Sequence, residues 1–252
     1  MDLHRFESVI SSAQYSELLA LIQRAAGRLR GRVIWNVNST AKGGGVVELL
    51  RPLLGYSRGG GVDARWVVIS GDSDFFVITK RLHNHLHGID GDGGPLSADE
   101  HASYERTLAA NAVELARLVR PSDVVILHDP QTAGLVGAVH ATGATVIWRC
   151  HVGLDHDNVR AHEAWDFLAP YLRTVDACVF SRSAYMWEGL SPEKVQYAEA
   201  DTACPEHRVG LLEAADQLEL VLELGQSGAL LRAAGAAAAD RARRGGRRHP
   251  RT

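Results

Sequence analysis

The sequence predicts an α/β fold, a doubly wound parallel sheet with helices on both faces. Three observations carry that expectation. Short apolar runs of strand length alternate with longer stretches of helical periodicity from about residue 33 to residue 180. The run Val124-Val125-Ile126-Leu127 has almost no polar alternation, as a strand covered on both faces requires. Polar clusters recur directly after the strand-like runs, where the loops at the carboxyl edge of a parallel sheet fall.

Taken in order, residues 6–29 place Leu18, Leu19, Ile22, Ala25, Ala26 and Leu29 at helical spacing. Val33-Ile34-Trp35 then reads as a strand. The turn Asn38-Ser39-Thr40-Ala41-Lys42-Gly43-Gly44-Gly45 follows, and a helix is expected from Val46 to about Leu54. Arg65-Trp66-Val67-Val68-Ile69 is the next strand, residues 75–87 have a helical pattern, and residues 89–95 read as a loop. Ser97-Ala98-Asp99-Glu100 is a capping box, with Ser and Glu three apart. It opens a helix to about Val119. Strands at residues 123–127, 145–148 and 177–180 alternate with helices at 133–141 and 163–172. The composition changes after about Glu193. Residues 193–240 read as a divergent helical segment and residues 241–252 as a basic, disordered tail, leaving residues 1–192 as the folded domain. The tail fits either a non-specific polyanion contact or a solvated end.

A net charge of −3 gives no global field favouring nucleic acid or an anionic membrane. No apolar run approaches the roughly 20 residues of a membrane span, and the first residues lack a signal-peptide core. Cys150, Cys178 and Cys204 are odd in number and widely spaced. They read as free thiols of a reducing compartment, so the cytoplasm is the expected location.

The chemistry concentrates at one edge. The residues 38–45 turn joins a strand to a helix, so its glycines can bring backbone N–H groups close to a phosphate at the helix N-terminus. Its spacing is neither the dinucleotide fingerprint nor a P-loop, and a plain tight turn explains it equally well. Gly71-Asp72-Ser73-Asp74, His128-Asp129-Pro130-Gln131 and Arg149-Cys150-His151 follow the later strands. Any one Asp there can be a helix cap. Together, Asp129 can accept hydrogen bonds from vicinal hydroxyls, while His128 and His151 can donate to hydroxyl or phosphate oxygens. Polyol beside phosphate is the chemistry of sugar transfer from an activated donor. His83 and His87, at i and i+4, would offer two metal ligands, but no convincing further set stands nearby, so no metal site is expected.

These residues also carry a resemblance. Val37-Asn38-Ser39-Thr40-Ala41-Lys42-Gly43-Gly44-Gly45-Val46-Val47-Glu48-Leu49-Leu50 is similar to the opening motif of nucleotide-sugar-dependent trehalose synthases. These are retaining family 4 glycosyltransferases of the GT-B fold, related to trehalose phosphorylases. Phe75-Phe76-Val77-Ile78-Thr79-Lys80-Arg81-Leu82-His83-Asn84, His128-Asp129-Pro130-Gln131-Thr132-Ala133-Gly134-Leu135, Trp148-Arg149-Cys150-His151 and Val179-Phe180-Ser181 resemble further motifs of that family, in order, over about residues 6–190.

The resemblance implies the Rossmann-like N-terminal half of a GT-B fold, on the acceptor side. It implies that Asp129 binds glucose, that Gly43, Gly44 and Gly45 approach the donor diphosphate, and that His151 lines the reaction centre. Asn38, Ser39, Lys80, His83, Asn84, His128, Gln131 and Arg149 are the further binding positions it suggests. The substrates would be glucose and UDP- or ADP-glucose, giving trehalose and the nucleoside diphosphate with retention, with no resident cofactor or metal. The family continues into a second domain that holds the nucleotide, and the match stops near Leu190. The expectation is a truncated chain, doubtful in activity alone, that needs a separately encoded donor domain or self-associates through uncovered apolar surface. A trehalose phosphorylase, or a non-catalytic sugar-binding half-protein, is the alternative.

Overall fold

The structure, a computed structural model, describes residues 3–8 and 10–197. It contains α1 (Ser12–Arg28), β1 (Ile34–Asn38), α2 (Gly45–Gly59), β2 (Ala64–Val68), α3 (Ser73–Leu86), α4 (Ala98–Leu118), β3 (Val124–His128), α5 (Val136–Ala141), β4 (Thr145–Cys150), α6 (Val159–Leu172), β5 (Ala177–Phe180) and β6 (Val195–Tyr197). The six strands form one sheet in the order β2-β1-β3-β4-β5-β6, with every pairing parallel. The fold is therefore the expected Rossmann-like α/β sheet.

Side-chain alternation along the strands assigns the helices to faces. Ile34, Val124, Ile126, Ile147 and Val179 point to one face, where Leu18, Leu21, Ile22 and Ala25 of α1 cover them. Ala64 of β2 lies on the same face under Leu50, Leu53 and Leu54 of α2. Trp35, Val37, Val125, Leu127, Val146, Trp148 and Phe180 point to the other face, where Leu82, Leu108, Leu115 and Leu168 from α3, α4 and α6 pack on them. Covering both faces is why β3 and β4 are buried at every position and show no alternation in sequence.

The helix starts follow their caps. Ser11 and Gln14 form a capping box before α1, and Ser97 with Glu100 forms the one expected before α4. Asp72 accepts the backbone N–H of Phe75 at 2.8 Å, so the polar cluster after β2 begins with a helix cap.

Three stretches differ from the sequence reading. Helix α2 runs to Gly59, through Pro52, beyond the expected end at Leu54, because Leu53, Leu54 and Ser57 are buried beside β2 and hold the last turns in place. The helix expected from residue 133 to 141 begins as a 3-10 segment, Pro130–Leu135. Residues 195–197, placed by sequence in the divergent helical segment, form β6 beside β5. The connection to β6 packs through Trp187, stacked on Trp165 with ring centroids 5.7 Å apart. Cys150 and Cys178 are buried free thiols, as expected. Cys204, the rest of the divergent segment and the basic tail lie outside the described residues. Among the described residues no helix is long and apolar enough to cross a membrane.

Candidate active site

The strand order has a topological switch between β1 and β3. From β1 the chain goes to β2 on one side, and from β3 to β4 on the other, so the loops that leave the two strands diverge and open a crevice at the carboxyl edge. Asn36, Asn38, His128 and Arg149 line the carboxyl half of one sheet face, beyond the part α1 covers, and all four are buried.

The residues 38–45 turn forms one lip of the crevice. Asn38 accepts the Trp66 indole N–H at 2.7 Å and donates to the Thr40 carbonyl at 2.9 Å, which pins the start of the turn. Gly43 and Gly44 have φ of 71° and 85°, the left-handed region in which only glycine is unstrained. A Cβ added at Gly43, Gly44 or Gly45 would meet nothing within 4 Å, so the space over the turn is open. Gly44 caps α2 without a side chain, and among the described residues the first N–H groups of α2 find no side-chain acceptor. Ser39 is half-buried beside them.

Asp129 forms the other lip. It is the one non-glycine with positive φ among the described residues, at φ 63° and ψ 176°. Its backbone is held on both sides. The N–H donates to the Arg149 carbonyl at 2.8 Å, and the carbonyl accepts the Trp148 indole N–H at 3.1 Å and the Thr132 N–H at 3.1 Å. Oδ1 of its carboxylate accepts the His151 backbone N–H at 2.8 Å, which leaves Oδ2 without a hydrogen bond to any described residue. Burial pushes the Asp129 carboxyl up to about 6, against the His151 N–H and the Arg149 charge, which favour ionisation.

Behind the carboxylate runs a chain of side chains. Oδ1 of Asn36 accepts from Nε2 of His128 at 3.0 Å. Nδ1 of His128 lies 3.1 Å from Nε2 of His151, with the rings nearly parallel at 13°. Burial drives His128 down to about 3 and His151 well below its ordinary range, and the Arg149 guanidinium adds to both shifts. Both rings are therefore neutral. With the Asn36 oxygen as acceptor, a neutral His128 is protonated at Nε2, accepts at Nδ1, and fixes the His151 proton on Nε2. Nδ1 of His151 then has a lone pair and no bond to a described residue. Asp129 and His151 thus present two acceptor atoms at the crevice.

The structure brings Asp129, His128, His151 and Arg149 together as expected. Gln131 is half-buried on the 3-10 segment just after Asp129. Lys80, His83 and Asn84 lie apart on α3, which packs against α6 and that 3-10 segment. Among the described residues no hydrogen bond joins these three to the Asp129 group. Lys80 is exposed, and desolvation, with Lys80 and His87 adding, lowers His83 to about 4. The His83 and His87 rings meet edge to face, and among the described residues no group of three His, Cys, Asp or Glu stands in metal-holding geometry. Sequence reasoning missed Asn36. Its signal was an amide side chain inside an otherwise apolar strand, Ile34-Trp35-Asn36-Val37.

The sequence matches the family model described as trehalose synthase, N-terminal domain, over residues 36–187. The chain belongs to the trehalose synthase family. It is 35% identical over 191 residues to the trehalose synthase of Rubrobacter xylanophilus, covering 73% of this chain and 42% of that protein. It is 36% identical over 179 residues to the trehalose synthase of Thermococcus litoralis, covering 71% and 42%. A trehalose phosphorylase of Pleurotus sajor-caju is a more distant relative, 25% identical over 65% of this chain and 22% of that one. The chain thus spans less than half the length of the trehalose synthases it matches. The matched region, residues 36–187, contains both lips of the crevice and the Asn36–His128–His151 chain.

Proposed function

We propose that this chain is the acceptor-side domain of a retaining trehalose synthase, which joins glucose to the glucosyl group of UDP- or ADP-glucose and releases the nucleoside diphosphate. The observation that carries the reading is the Asp129–His151 pair at the switch point, inside the region matched to the family. Asp129 accepts hydrogen bonds from acceptor hydroxyls through Oδ2. The bare turn at residues 43–45 leaves room for the leaving diphosphate beside the α2 N-terminus. His151 contacts the transferred sugar, and a leaving phosphate oxygen takes the acceptor proton on the same face. Ser39, Asn38, Gln131 and Arg149 shape the crevice, while Lys80, His83 and Asn84, apart on α3, are binding positions by the family resemblance alone.

No metal or resident cofactor enters this scheme. The nucleotide is held by a second domain, in the part of the relatives that this chain does not span, and basic groups there neutralise the diphosphate, usually the largest catalytic term. A nucleotide-holding domain of that kind is the proposed partner; self-association is another. The cytoplasm is the proposed compartment, in keeping with two buried free thiols.

Calorimetric titration with glucose, UDP-glucose and ADP-glucose tests the assignment. Glucose binding that disappears in Asp129→Ala, with weak donor binding, is the expected result. Glucose binding unchanged in that variant would sink it. The phosphorylase relatives motivate a second reading, in which inorganic phosphate and trehalose are the substrates. Product analysis after adding the donor domain, with phosphate in one arm and nucleotide sugar in the other, separates the two. No sugar binding at all would favour a chain without catalysis.

A further inference from the structure

The amino edge of the sheet, opposite the edge that carries Asp129, holds a second concave surface. It is a cleft of about 520 Å³, between the end of α1, the segment before β1 and the starts of β2 and β3. That volume lies in the range of small-molecule sites, roughly 300–1,000 Å³. Four of its lining residues are arginines, Arg30, Arg32, Arg65 and Arg120, against one lining carboxylate, Asp63.

Three of the four guanidiniums are tethered along one edge. Arg65 pairs with both oxygens of Asp63, through Nε at 2.9 Å and Nη2 at 2.8 Å, and lies over the Trp35 ring. Arg120 uses Nε and Nη2 on the buried Asp123 and on the Gly31 carbonyl. Arg32 donates through Nε to the Ser122 carbonyl. A guanidinium has five N–H donors in a fixed fork, so these tethers orient Arg65 and Arg120 while leaving Nη1 of each with no bond to a described residue. Arg30 has no ion pair among the described residues. The wall between them is bare backbone. A Cβ added at Gly27 or Gly31 would meet nothing within 4 Å.

Asp63 and Asp123 pair with Arg65 and Arg120, so among the described residues four guanidiniums face two carboxylates, and the net positive charge of a ligand-sized cleft attracts an anion. We propose that this cleft binds a small anion carrying two or more phosphate groups, as a second site on the opposite edge of the sheet from Asp129. Tethering lowers the ordering cost of binding, and the arginine forks can take phosphate oxygens in pairs. The site is independent of the sugar-transfer reading, and either can fail alone.

Inorganic pyrophosphate is the probe, titrated into the full ¹⁵N-labelled chain at low ionic strength and followed both by calorimetry and by backbone amide shifts. The expected result is a saturable shift at Gly31, Gly60 and Gly61. Gly27→Glu should weaken binding at least about tenfold, and Gly27→Lys should tighten it. Both side chains would enter open space from a helix whose propensity they improve, so neither variant is expected to unfold. Raising the salt should weaken binding in all three proteins. The proposal is overturned by shifts confined to the glycines at 43–45 or to the tail at 241–252. It is also overturned by equal affinity in the two Gly27 variants, or by no saturable binding.

Discussion

The backbone N–H of His151 donates to Oδ1 of Asp129 at 2.8 Å, while the N–H of Asp129 donates to the carbonyl of Arg149 at 2.8 Å. The second bond continues the β3–β4 ladder by one step. The first replaces the next step with a side chain. Asp129 can therefore leave the sheet with its carboxylate turned back over the edge, at the cost of a φ of 63°. Such a conformation in a non-glycine costs on the order of 1–3 kcal/mol and persists only where surrounding bonds hold it.

That strain gives an ordering of variants. Asp129→Ala keeps the strained backbone and loses the bond to His151. Asp129→Gly loses the same bond but relieves the strain, so it should be the more stable of the two, by about 1–2 kcal/mol. Both should lose glucose binding. Denaturant unfolding of the two variants measures the difference. A glycine variant no more stable than the alanine one would mean that position 129 is not strained.

The Asp129 carboxyl titrates at about 6, raised by burial. Below that pH it is protonated and loses acceptor strength toward hydroxyls. Glucose affinity should therefore rise as the pH rises through about 6, and then level. In Asp129→Asn the affinity should be weaker and flat over the same range. Calorimetry from pH 5 to pH 8 reads both. A wild-type profile as flat as that of the Asn variant would disconnect the carboxylate from sugar binding.

Folding stability should show the opposing pH terms of the same cluster. His128 falls from an ordinary 6.5 to about 3 in the folded chain, so the unfolded chain binds the extra proton between those values. Stability from this ring is present above 6.5 and is lost as the pH falls toward 3. His151 shifts in the same direction. Asp129 has the opposite sign: raised from 3.8 to about 6, it favours the folded chain at low pH and gives up that stability as the pH rises through 6. Two histidines against one carboxyl leave a net gain, so the melting temperature should climb from pH 4 to pH 6.5. It should climb more steeply in Asp129→Asn, which lacks the opposing term. An equal slope in the two proteins would contradict the raised carboxyl.

The glycine turn offers a local contrast. Gly44 has a φ of 85°, and Gly45 has no positive φ, although an added Cβ has open space at both. Gly44→Ala should destabilise the chain by about 1 kcal/mol or more, through backbone strain alone. Gly45→Ala, in the first turn of α2, should be neutral or slightly stabilising. Thermal melts of the pair check this, and equal losses would show that the turn, not its dihedral angles, is sensitive.

Much of this architecture is legible in the sequence, for identifiable reasons. The strands β3 and β4 announce themselves because both faces are covered, which removes polar residues from positions 124–127 and 146–148. The caps at Asp72 and Ser97 are local, so local sequence reveals the helix starts. Asp129, His128 and His151 stand out because polar residues at successive strand ends have no packing reason to be there. What stays hidden depends on distant partners. β6 is three residues long and is a strand only because β5 pairs with it. Pro52 and Gly55 argue for an early end to α2, and only burial against β2 carries the helix past them. The left-handed φ of Asp129 has no signature in an aspartate.

Asn36 is the clearest case of a role that only the fold exposes, and it carries the last prediction. It lies 92 positions before His128, yet its Oδ1 accepts the hydrogen bond of that ring's Nε2–H at 3.0 Å. Asn36→Leu fills similar volume but leaves the His128 donor buried without an acceptor, a loss of about 1–3 kcal/mol. The ring can then escape by moving its proton to Nδ1, which turns the contact with His151 from acceptor to donor and forces the His151 proton from Nε2 to Nδ1. Tautomer exchange is directly visible in the nitrogen shifts of the two imidazoles. The expected outcome is a single Nε2-protonated tautomer at both rings in the wild type and a changed or mixed population in Asn36→Leu. Asn36→Asp restores an acceptor and should restore the wild-type tautomers, with His128 titrating at higher pH because a carboxylate now faces it. A purely structural role for Asn36 would lower stability in the Leu variant without moving the His151 nitrogen shifts, and that result would break the proposed chain from Asn36 to the crevice.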